Sequence, residues 1–68
     1  MANKISKLEM YRREKGLTRV ALADKVGVSV KSIERYEQGL ASLGDAKYKT
    51  VIALANILGV SPEEIVEE

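Results

Sequence analysis

The sequence predicts an all-α fold, a compact five-helix bundle formed as one domain over residues 1–68. Three observations predict it. One short pattern recurs, as GLT at 16–18, GVS at 27–29 and GVS at 59–61. No segment shows the apolar–polar alternation of a half-buried strand. The 68 residues, 46% of them hydrophobic, suit a single small core.

Each copy of the pattern can end one helix and start the next. Glycine enters the left-handed region after a helix without the steric penalty of a Cβ. The third residue, Ser or Thr, is an N-cap whose oxygen accepts a free backbone N–H. The apolar middle residue precedes the cap and can pack on the residue five positions further along. Those partners are Leu22, Ile33 and Ile65, all apolar. The third copy continues as SPEE, which places Pro62 in the first helical position and predicts a capping box completed by Glu64.

The elements follow in order. A first helix is predicted from about Lys4 to Lys15, with Ile5, Leu8 and Tyr11 on its inner side. A second runs from Thr18 to Val26 and a third from Ser29 to Gln38. GLASLGD at 39–45 is an extended loop, with Asp45 as cap for a fourth helix from about Ala46 to Leu58. A fifth spans Ser61 to Glu67. Leu8, Leu22, Val26, Ile33, Leu54 and Leu58 form the expected core, and the short connections force successive helices together.

Composition removes several chemistries. The chain has no cysteine and no histidine, which excludes disulfides, thiolate zinc sites and histidine general bases. No metal, cofactor or catalytic residue is expected. MANKISKLEM lacks the apolar run of a signal peptide, and VIALANILGV at 51–60 is too short to span a bilayer. The cytoplasm is the expected location, without membrane association. Net charge is +1, unevenly spread. Residues 1–20 hold six bases and two acids, whereas residues 51–68 hold four glutamates and no base. Such a basic front is suited to a polyanion.

Two short helices joined by a tight glycine turn at Gly27 cross steeply, as in a helix-turn-helix. Small Ala23 sits where they approach most closely. At about 100° per residue, Ile33, Tyr36 and Glu37 share one arc of the third helix. Val30, Lys31, Glu34, Arg35 and Gln38 share the opposite one. A Lys, an Arg and a Gln on the free face of a rigidly held helix suit the DNA major groove.

RREKGLT, LADKVGVS, SIERYEQG, LANILGVS and PEEIV together resemble the phage repressor and Cro-like helix-turn-helix regulators along nearly the whole chain. The resemblance implies a lambda repressor-like DNA-binding domain. It implies base-edge contacts from Val30, Lys31 and Arg35. The two cations can donate to guanine, while Val30 reaches only a thymine methyl. It assigns phosphate contacts to Arg19, where the family usually has Gln, and to Gln38, Lys47 and Lys49. The loop before Lys47 looks about three residues longer than is usual in the family and lacks the usual proline. Ser32 is a phosphate donor or simply a residue of the helix start. Glu34 either accepts from a cytosine amino group or holds Lys31, the second being the preferred reading. Arg12 and Glu37 match a structural ion pair that ties the first helix to the end of the third.

The expected function is that of a sequence-specific, double-stranded DNA-binding transcriptional regulator, a repressor, reading the major groove with residues 29–38. A homodimer is expected, because one short helix reads few base pairs. Ile52, Ile57 and Val66 offer surplus apolar surface for it. The alternative is an antitoxin or adaptor-type helix-turn-helix protein whose main partner is another protein. Enzymatic activity is not expected. The pairs Glu63/Glu64 and Glu67/Glu68 have no partner base and no phosphate-cradling glycine loop accompanies them.

Overall fold

The computed structural model describes residues 5–66. Ser6 begins the first element, its side chain accepting the Glu9 N–H at 3.1 Å. The cap starts α1 (Lys7–Glu14) later than the sequence suggests and leaves Ile5 outside the helix, 48% exposed rather than facing inward. Lys4 lies outside the described residues. Next come α2 (Arg19–Val26), α3 (Val30–Gln38), a single 3-10 turn (Leu43–Asp45), α4 (Tyr48–Leu58) and α5 (Pro62–Ile65). The described residues thus form five α-helices and no strand.

The recurring pattern performs its two tasks at the first two junctions. Thr18 accepts the Ala21 N–H at 3.0 Å, and Ser29 accepts the Ser32 N–H at 3.1 Å. Gly27 takes φ 86°, and its N–H and that of Val28 both donate to the Ala23 carbonyl. No neighbour lies within 4 Å of a Cβ placed there, so the demand for glycine is conformational rather than steric. Leu17, Val28 and Val60 pack against the core that contains their partners Leu22, Ile33 and Ile65.

At the third junction the expected capping box is absent. Ser61 makes no side-chain cap bond. Glu64 instead accepts from the Tyr11 hydroxyl at 2.8 Å, a link between α5 and α1 that outcompetes the local one. Pro62 does occupy the first turn, and α5 closes at Ile65. Asp45 likewise does not cap α4. It ends the 3-10 turn, and Lys47 stands at the start of α4 with no side-chain cap bond. Burial of Leu43 pulls the 39–45 segment onto the core and separates Asp45 from the helix it was expected to serve.

Leu8, Leu22, Ile33, Leu54 and Leu58 are buried together with Ala23, Leu43, Val51, Ala55 and Ile65. Val26 is only half-buried and packs on their edge. Ile57 and Val66 also lean on this core, and Ile52 is half-buried, so the surplus apolar surface is smaller than the sequence suggests. Lys15 Nζ lies over Gly59, 3.5 Å from where a Cβ would stand. It brings a positive charge to the carbonyl end of α4, whose last turn has no base of its own.

Candidate nucleic-acid interface

Alternation along α3 builds the site. Ile33 and Glu37 are buried and Tyr36 is half-buried, which fixes the inner face. Lys31, Arg35 and Gln38 are exposed, Val30 is 39% exposed and Glu34 is half-exposed. The helix therefore shows two cations and an amide to solvent. The side chains of Lys31 and Arg35 make no hydrogen bond or ion pair among the described residues, so their donors are free for an incoming ligand. Ser32 is partly committed, with its hydroxyl 3.0 Å from that of Ser29. Glu34 faces Arg19 of α2 at 3.6 Å and does not hold Lys31.

A buried carboxylate locks the orientation of this face. The Glu37 side chain has no solvent exposure. Arg12 of α1 donates to it twice, from Nε to Oε2 at 2.6 Å and from Nη2 to Oε1 at 3.2 Å. Arg12 Nη1 donates to the Leu17 carbonyl at 2.8 Å, so each nitrogen of that guanidinium has an acceptor. Arg19 Nε adds a third bond to Glu37, at 2.8 Å to Oε1. One carboxylate thus joins α1, α2 and α3 through charge-assisted hydrogen bonds, the strong kind. No buried side-chain polar atom among the described residues lacks a partner. The hydrogen bond to Glu37 raises the Arg19 pKa above its ordinary value, and burial opposes this more weakly.

Arg19 is the residue whose role the sequence reading missed in part. It stands at the start of α2 as a phosphate donor would, yet its Nε edge is built into the core network. The signal available was charge: three acidic or basic groups, Arg12, Arg19 and Glu37, each one helical turn from a buried apolar residue, Leu8, Leu22 and Ile33 respectively. Lys47 and Lys49 are exposed at the start of α4, flanking Tyr48, which is 78% exposed. No hydrogen bond or ion pair ties either side chain to α3 among the described residues.

A groove of about 350 Å³ runs between the start of α1, the end of α3 and the 39–43 segment. Glu37 is its one carboxylate, already committed to two arginines, and Glu63 and Glu64 do not line it. No described helix is long and apolar enough to cross a membrane.

Comparison with solved structures finds a similar arrangement in the N-terminal DNA-binding domain of SinR from Bacillus subtilis. The TM-score is 0.77 at 26% sequence identity, over 91% of this chain and 87% of that one. No curated protein matches the chain. Residues 6–67 match the helix-turn-helix domain, the family to which this chain therefore belongs.

Proposed function

We propose that the chain is a sequence-specific, double-stranded DNA-binding transcriptional regulator, a cytoplasmic repressor that acts through one domain over residues 1–68. The observation that carries this reading is the pairing of a locked inner face with a free cationic outer face on α3. Ile33 and Glu37 fix the helix, while Lys31 and Arg35 extend from it unpaired. A helix of nine residues held this way fits the major groove, and its likeness to the SinR DNA-binding domain supports the same partner class. Val30, Lys31 and Arg35 read base edges in this proposal. Ser32, Gln38, Lys47, Lys49 and the outer edge of Arg19 meet phosphates, which fix register and carry the salt dependence. Two copies bind half-sites about one helical turn apart.

Selection of bound sequences from a random duplex pool, followed by titration of the best site, tests the reading. Arg35→Ala should lose ~1–3 kcal/mol on that site and relax preference at one base pair. The variant should remain folded, since Arg35 is exposed. If Arg35→Ala discriminates between selected and scrambled duplexes as the parent chain does, α3 is not the reader.

A further inference from the structure

Arg19 and Glu34 form a contact that neither core packing nor base reading requires. A guanidinium carries five N–H donors in a rigid fork. Arg19 commits its Nε to Glu37 at 2.8 Å, against a carboxylate with no solvent exposure. Its Nη1 faces Glu34 Oε2 at 3.6 Å, too long for a hydrogen bond, and that pair is 33% and 41% exposed at the side chains. The first contact is short, buried and shared with Arg12. The second is long, solvated and weak. A half-exposed ion pair of this kind shifts an equilibrium by about fivefold at most.

We propose that Glu34 is an intramolecular competitor for the outer Nη edge of Arg19, the edge read above as a phosphate donor, and that it is displaced when duplex DNA binds. This rests on the DNA-binding reading above. The Nε bond to Glu37 persists and aims the side chain, so the phosphate meets a donor pair already oriented. Glu34 lies on α3 one turn after Lys31 and beside Arg35, on the surface that DNA approaches. Its negative charge satisfies Arg19 when no phosphate is present and weakens the hold on any duplex when one is. Glu34 is therefore an affinity-limiting residue rather than a reader of sequence.

The test compares the parent chain, Glu34→Gln, Arg19→Gln and the double variant, by fluorescence anisotropy on the selected duplex and on a scrambled one. Glu34→Gln should tighten binding about two- to fivefold on both duplexes, and that gain should vanish when Arg19 is already glutamine. An equal gain in both backgrounds would show only a general charge effect and would overturn the proposal. A loss confined to the selected duplex would also overturn it, because Glu34 would then be a base acceptor. Should Arg19→Gln not fold, guanidinium nitrogen resonances of the parent chain carry the same information. On adding duplex the Arg19 Nη signals should move while Nε–H stays protected, and loss of Nε–H protection overturns the proposal. If the parent chain selects no duplex at all, the DNA-binding reading falls as well. Binding without Glu34–Arg19 coupling removes this proposal alone.

Discussion

In α1, α2 and α3 a hydroxyl of Ser6, Thr18 or Ser29 accepts a backbone N–H at the helix start, whereas α4 and α5 begin without a side-chain cap. The same contrast runs through the interior. The first three helices converge on Glu37 through two arginines. The last two contribute Val51, Leu54, Ala55, Leu58 and Ile65, all apolar. Apolar packing has no preferred direction and tolerates volume-conserving change. Charge-assisted hydrogen bonds have a direction and fix an angle. The difference teaches where angle matters: all five helices share the apolar core, and the buried charge-assisted bonds are added only where α3 is held at one inclination.

Removing the shared acceptor breaks this contrast most severely. Glu37→Ala leaves the guanidiniums of Arg12 and Arg19 together without their shared buried acceptor and should cost ~3–5 kcal/mol in urea unfolding. That is much of the stability of so small a domain, about 0.05–0.15 kcal/mol per residue. Leu54→Met in the apolar end should cost less than ~1.5 kcal/mol. Similar losses for the two would mean that Glu37 acts as filler and not as a directional clamp.

The caps sharpen the comparison at a smaller scale. Thr18→Ala and Ser29→Ala should each cost ~0.5–2 kcal/mol, because each frees a backbone N–H that the hydroxyl now satisfies. Ser61→Ala should stay within ~0.5 kcal/mol, since Ser61 makes no such bond. Equal losses at all three would erase the distinction between the two ends.

The gentlest probe is the seam between the ends, where Tyr11 of α1 donates to Glu64 of α5. That hydrogen bond, aided by partial desolvation and the charges of Glu64 and Glu14, raises the Tyr11 pKa above 10.0. The protonated phenol is favoured in the fold. Its contribution is therefore complete below the unfolded value near 10.0 and is lost as pH rises through the higher folded value. Phenolate absorbance, read as the difference from Tyr11→Phe, should show Tyr11 titrating above an ordinary tyrosine. Glu64→Gln should lower that titration, and no change would remove the seam.

What the sequence disclosed was local. The Gly-x-Ser/Thr spacing places helix ends because a cap bond spans three residues of chain, and Gly27 announces its turn because a positive φ excludes other residues. SKLE at 6–9 carried the same capping signal and explains the late start of α1, although its apolar neighbour Ile5 suggested an earlier one. What stayed hidden depended on distant partners. Glu64 had a good local role and a better remote one with Tyr11, 53 positions away. Arg19 carried the right charge for a phosphate, but its bond to Glu37 depends on how three helices meet. Among the candidate site residues, the outward set on α3 was legible from helical periodicity alone. The sharing of one carboxylate by two arginines was not.

Alternation along α3 also bears on how such a chain can diversify. Ile33 and Glu37 anchor the helix, while Val30, Lys31, Arg35 and Gln38 face outward and hold nothing else in place. Under the proposed function, folding and address are thus written on opposite sides of the same nine residues. Substitutions on the outer side meet little selection from stability, so a duplicated gene can drift to a new target without passing through an unfolded ancestor. Arg19 is where that freedom ends, because its Nε edge belongs to the folding network while its outer edge is the proposed phosphate donor.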